Sequence, residues 1–215
     1  MTAQVPNGTI ISLASGYGSA LTTTIVTNAN PAVVTSTAHG LSNGDYVELT
    51  SGWSRINNKI ARVANKTTDT FELEGFNTTS TSVYPAGGGL GSVRKITGFT
   101  QLSQILTSSS NGGEQQFATF QYLEGDFQNR IPTIKNAAGL TFTVADDPTL
   151  AGYILASTAN DDRLPRAVKA LLASGAIILY NCYISLNRTP TLTVNEVMAS
   201  EVTLSMLNEP VRYAS

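Results

Sequence analysis

The feature that most constrains this chain is a two-residue rhythm. Ser, Thr or another polar residue alternates with Val, Ile, Leu or Phe in segment after segment, cleanly at 140–144 (LTFTV), 191–197 (TLTVNEV) and 201–207 (EVTLSML). Successive side chains of a strand point to opposite faces, so each such segment can bury one face and keep the other wet. Its β-branched residues also favour strands over helices. The expected fold is mainly β, a sandwich or barrel.

Residues 9–13 (TIISL) and 21–27 (LTTTIVT) read as opening strands. Residues 29–75 then read as a unit of their own, with short strands at 32–35, 46–50, 59–63 and 70–73. Turn signals separate them at Asn43-Gly44-Asp45, Ser51-Gly52, Asn57-Asn58 and Thr68-Asp69, the pattern of a small β-barrel or meander. Residues 84–91 (YPAGGGLG) form a linker. Their glycines are no phosphate loop, because GxxxxGK[ST] is missing and a strand-like SVRKI follows instead of a helix. The division expected is therefore 1–28 with 84–215, interrupted by an inserted unit and linker at 29–83. The insert is expected to stand outside the main body as a removable lobe.

Further on, 116–123 (QFATFQYL) reads as a strand, and Pro132 marks 128–135 as an edge or bend. The spacing predicts one helix, over 161–175 (DDRLPRAVKALLASG). Asp161 or Asp162 would cap it and Pro165 fits its first turn. Leu164, Val168, Leu171 and Leu172 would form its core face, and Gly175 would close it. Residues 176–186 (AIILYNCYISL) follow as a buried strand.

Charge narrows the function. Asp, Glu, Lys and Arg make 13% of the 215 residues, with a net charge of −2, against about 25% in ordinary soluble proteins. Tight nucleic-acid binding needs clustered Lys and Arg, which are missing. The longest apolar run, 176–180, is far short of the roughly 20 residues of a membrane helix, and 1–8 (MTAQVPNG) has no signal-peptide pattern. Depleted charge suits surface that becomes buried between subunits. A Thr-rich sandwich made soluble by its hydroxyls accounts for it equally.

Catalysis has little to use. His39 is the only histidine and Cys182 the only cysteine, so neither a metal cluster nor an internal disulfide is expected. His39 precedes a turn, where bonding to backbone is the ordinary role. Asp146 and Asp147 would point to opposite faces of a strand and share no proton. Catalytic residues, metal and cofactor are all expected to be none.

The order of segments in the second half resembles a phage tail tube protein. Residues 120–135 (FQYLEGDFQNRIPTIK), 140–153 (LTFTVADDPTLAGY), 164–186 and 189–213 (ending in PVRY) carry the likeness, joined by 10–18 and 93–100. Residues 29–75 are similar to the small β-barrel module inserted in various phage tail proteins, which the plainest tail tube proteins lack. The resemblance implies a tail-tube β-sandwich or barrel with one packed α-helix, plus the small inserted β-barrel. It also implies hexameric rings stacked into a β-lined tube around a tape measure protein, with tail terminator and distal tail proteins as further partners. DNA would pass through transiently, without sequence-specific binding or membrane insertion. The subunit would be made and assembled in the host cytoplasm and reside in the virion tail. The other reading is a tail adhesin, receptor-binding or sugar-binding β module. A tube subunit gives rings or tubes in micrographs, whereas an adhesin stays monomeric or trimeric.

Within 191–207, Leu192, Val194, Val202, Leu204 and Met206 are expected on the buried faces of two strands. Thr193, Asn195, Thr203 and Ser205 are expected to face the channel, with Glu196 and Glu201 near its wall. A bulge at 198–200 would shift this phase.

Overall fold

The computed structural model describes residues 7–214. The first six residues, on which most of the reading of the N-terminal segment rests, lie outside the described residues. In chain order the strands are β1 (Ile10–Thr23), β2 (Ile25–Val26), β3 (Ala32–Thr35), β4 (Tyr46–Ser51), β5 (Ile60–Ala64), β6 (Thr70–Leu73), β7 (Gly91–Leu102), β8 (Ile105–Asn111), β9 (Gln115–Phe120), β10 (Asn129–Lys135) and β11 (Gly139–Ala145). Helix α1 (Ala151–Asp162) follows, then β12 (Arg166–Leu171), β13 (Ile177–Thr191), β14 (Ala199–Met206) and β15 (Val211–Tyr213). The chain is mainly β, as its alternation dictates.

Thirteen strands join one sheet, twelve of them in the order β2-β3-β6-β5-β4-β7-β1-β12-β13-β14-β11-β8 and β15 off this path. β15 pairs with the first residues of β13, and β14 with the remainder of it. β9 and β10 stand off as a two-stranded hairpin. The sheet curls into a half-barrel.

One face of the β1–β12–β13–β14–β11 segment carries the main core. Leu13, Val168, Cys182, Val202 and Leu204 are fully buried there beside Phe142 and Val144. Helix α1 covers this face through Gly152, Ala156 and Ala159. A Cβ on Gly152 would lie 2.3 Å from the Gln101 carbonyl oxygen, so only glycine permits this approach.

The strands β3 to β6 surround a second core built on Phe71, Val34, Val47, Val63 and Trp53. Their bounds lie within one residue of those read from the sequence. The unit shares its sheet with the main body, because β4 pairs with β7 from Val47↔Lys95 to Ser51↔Gly91. A third cluster joins the two parts, with Ile60 of β5 packed among Ala14, Ile96, Ala167, Leu179 and Tyr213. Polar bonds reinforce that junction. The Tyr213 hydroxyl accepts from Arg62 N–H at 2.8 Å and donates to the Glu74 carbonyl at 3.2 Å. Buried Asn181 donates through Nδ2 to Glu48, which also accepts from Arg94.

The helix lies one segment earlier than 161–175. Asp161 and Asp162 end α1 instead of capping its start, pairing with Arg188 and Arg166 respectively. Arg163 takes the left-handed cap (φ 53°) and Pro165 disfavours helix at Leu164, so the chain leaves the helix there. Of the four expected core-helix residues, Val168 is fully buried but in strand β12, Leu171 ends that strand half-buried, Leu172 lies half-buried just after it, and Leu164 is 59% exposed. Gly175 does adopt φ 84°, but in the turn between β12 and β13.

Candidate assembly and channel surfaces

Opposite the helix, the β13–β14–β11–β8 end of the sheet presents an open face whose composition follows from strand register. Directly paired residues share a face in antiparallel sheets. Ser185, Thr203, Thr141 and Ser109 therefore form one row across the four strands. Asn187, Glu201, Thr143 and Thr107 form the next, and Tyr183, Ser205, Gly139 and Asn111 the third. Thr107 Oγ1 donates to Thr143 Oγ1 at 3.0 Å, tying two of the strands. These rows hold hydroxyls, amides and one carboxylate, Glu201, and no Lys or Arg.

The structure brings Thr203, Ser205 and Glu201 together on this face. It separates Thr193, Asn195 and Glu196, which lie beyond the end of β13 in the exposed tip before β14. Asn195 is left-handed there (φ 66°), and Glu196 N–H bonds the Thr193 carbonyl at 3.2 Å. The strand expected over 191–197 is replaced by this turn. Accordingly Leu192 and Val194 are 75% and 86% exposed instead of buried, while Val202 and Leu204 are fully buried and Met206 partly so.

The second feature is the hairpin β9–β10, whose strand at 116–123 and edge at 128–135 the sequence indicates, but whose separation from the main sheet and exposed apolar surface sequence reasoning missed. Nearly all its residues are exposed, and they include Phe117, Ile131 and Ile134. Its tip carries Tyr122, Leu123 and Phe127 into solvent, with Glu124 and Asp126 between them. An ion pair between Lys135 and Glu209 fixes its root. A solitary two-stranded hairpin is marginal in water, and contiguous exposed apolar residues mark interaction surfaces. The available signal was the unusual density of aromatics beside acids in QYLEGDF.

Residues with catalytic potential are engaged structurally. His39 Nδ1 accepts from Leu41 N–H at 3.0 Å, which leaves Nε2–H to donate to the Thr70 carbonyl at 3.2 Å. Its ring packs edge-on to Phe71. Asp146 and Asp147 lie just beyond the end of β11 and not on the strand expected for them; Asp146 accepts from Ser200 and Tyr153, and Asp147 from Thr149. Cys182 is buried in the main core, which pushes its thiol up to about 12 and keeps it unreactive. Among the described residues no three His, Cys, Asp or Glu side chains converge as metal ligands, and no helix is long and apolar enough to cross a membrane.

A family model described as phage tail tube protein (TTP) matches residues 51–215. No curated protein matches the sequence. Among solved structures, the chain is similar to one from the tail of an empty gene transfer agent particle refined with C6 helical symmetry, at 11% identity and TM-score 0.45, over 55% of this chain and 89% of that one. A chain of the native gene transfer agent virion aligns at 10% identity and TM-score 0.43, covering 54% and 89%. One from the tube-terminating cap of an anti-feeding prophage aligns at 17% and 0.38, covering 54% and 83%.

Proposed function

Since this chain belongs to the phage tail tube protein family, we propose that its copies close into hexameric rings and that the hydroxyl face of β13, β14, β11 and β8 lines the channel through the stacked rings. A tail tube protein is a structural component of the virion tail, built from many copies of itself. The observation that carries the channel assignment is the register. Three successive cross-strand rows bear hydroxyls and amides, a single carboxylate and no cation. Each Lys or Arg that neutralises a phosphate adds affinity through counterion release, so a wall without them lets DNA slide past. Hydrated hydroxyls and sparse carboxylates leave the polymer nothing to grip.

Residues 1–28 and 84–215 form the tube-building unit in this reading, and 29–83 an inserted unit attached along β7. Thr193, Asn195 and Glu196 sit at the rim of the wall, and Thr203, Ser205 and Glu201 on it. A tape measure protein fills the channel before DNA does, and terminator and distal tail proteins close the two ends. No step calls for catalysis.

Thr203→Lys combined with Thr193→Lys tests the assignment. Neither side chain belongs to the buried core, so tubes should still form. Each ring would then carry added positive charge at two levels. DNA ejection should slow, most clearly at low salt, because the screening length grows from about 10 Å at 0.1 M to about 30 Å at 0.01 M. Normal ejection through intact lysine-bearing tubes, or micrographs placing Thr203 on the outer surface, would overturn the channel assignment.

A further inference from the structure

Of the 13 Lys and Arg residues, six hold a carboxylate in an ion pair. Lys169 lies over the rings of Phe99 and Tyr46. Three of the remainder, Arg55, Lys59 and Arg212, line a single cleft of about 280 Å³ between the 29–83 unit and the start of β15. Its lining is mainly polar, with Tyr84 and Val211 supplying half-buried apolar surface beside the cations. Asn208 Nδ2 donates to the Asn57 carbonyl at 2.8 Å and holds the two sides together. Burial holds the Lys59 ammonium below its ordinary pKa, and the nearby carboxylate, Glu209, is already bonded to Lys135. The cleft is thus preformed, partly desolvated and short of negative charge.

The same chain carries a segment of complementary chemistry. The β9–β10 tip bears Glu124 and Asp126 without ion-pair partners, set among Tyr122, Leu123 and Phe127 at 62%, 104% and 78% exposure. It cannot reach its own cleft. The cleft adjoins the hairpin's root, where Lys135, Glu209 and Pro210 meet, and the seven residues of β10 carry the tip about 20 Å away from it.

We propose that this cleft receives the 122–127 tip of a second copy, with Glu124 and Asp126 against Arg55, Lys59 and Arg212, and Leu123 and Phe127 against Tyr84 and Val211. Tip meets root in such a contact, so it is heterologous and repeats from copy to copy, the type that closes rings or extends filaments. The inference rests on the reading of the chain as a tube subunit and names the surfaces that join its copies.

Disulfide trapping between full-length chains tests it. Lys59→Cys and Asp126→Cys are made in separate chains, mixed in equal amounts and oxidised; the buried Cys182 does not compete. The mixed dimer should exceed that from Lys66→Cys with Asp126→Cys by about tenfold, Lys66 being an exposed cation elsewhere on the same unit. Reversing the cleft (Arg55→Glu with Lys59→Glu) should weaken self-association about tenfold, and adding Glu124→Arg with Asp126→Arg in the same chain should restore it. No enrichment over the Lys66 pair overturns the proposal, as does self-association indifferent to the cleft reversal. So does a short DNA duplex that binds the cleft regardless of the tip. Tubes without the mixed disulfide would sink this docking while sparing the tube reading. The disulfide without tubes would support the docking and count against the tube.

Discussion

Replacing Gly152 by alanine should destabilise the protein, although glycine-to-alanine changes within helices ordinarily stabilise. Gly152 is the second residue of α1 and is buried where the helix crosses the end of β7. The new methyl carbon would stand 2.3 Å from the Gln101 carbonyl oxygen and 2.9 Å from Leu102 Cα, both backbone atoms that cannot rotate away. The helix must therefore retreat by roughly 1 Å, loosening Ala156 and Ala159 against the sheet. Overpacking of this kind costs about 1–3 kcal/mol. The opposing gain in helix propensity is at most about 1 kcal/mol, and smaller in a first turn. A net loss of about 1–2 kcal/mol remains, lowering the melting temperature by about 2–8 °C for a chain of this size. Thermal melts followed by far-UV circular dichroism measure it, with Thr158→Ala on the exposed side of the same helix as comparator, expected within about 0.5 kcal/mol of wild type. A melting temperature for Gly152→Ala equal to or above wild type would refute the close approach of α1 to β7.

Two further outcomes are expected. Deleting 29–83 and joining Asn28 to Tyr84 should yield insoluble protein, since it strips β4 from β7, uncovers Leu179 and Ile96, and leaves Asn181 and the Tyr213 hydroxyl without partners; a soluble, cooperatively melting deletion variant would show that the main body stands alone. Stability should be level from neutral pH to about 9 and fall from there towards about 12. Burial raises Cys182 from 9.0, and Tyr17 and Tyr213 from 10.0, to about 12, so the fold favours their protonated forms and loses that contribution as alkali removes the protons. Denaturant midpoints across this range measure it, and a flat profile to pH 12 would contradict the burial of these groups.

The elements legible in the sequence were those whose two faces differ. In β3 and β6, Ala32, Val34, Phe71 and Leu73 are buried and the residues between them are not, while in β4 and β5 the Asn and Gly turns at their ends marked the strands although Glu48 and Ile60 are buried on the second face. Helix α1 left no such trace. It packs through Gly152, Ala156 and Ala159, and small residues that permit close approach carry little hydrophobic signal. β12 misled in the opposite sense, because both its faces are buried. Val168 and Ala170 enter one core and Ala167 another, while Lys169 lies over aromatic rings. With alternation gone, Leu164, Val168, Leu171 and Leu172 retained a spacing that also fits a helix, and an aspartate pair beside Pro165 imitated a helix start.

The surfaces were half legible for a related reason. Thr203 and Ser205 were placed on the open face because β14 alternates without interruption between fixed neighbours. Alternation misleads at Leu192 and Val194, apolar residues that read as core and stand in solvent in the single chain. Hydrophobicity records that a side chain leaves water in the working state of the protein, and it does not say whether its own chain or a second copy covers it. In a subunit whose working state is an assembly, the two sets are written in the same residues. They separate only once the fold of one copy shows which apolar side chains it has left uncovered, and in this chain the four most exposed of them, Leu123, Val194, Phe127 and Leu192, stand on two hairpin tips, 122–127 and 192–198.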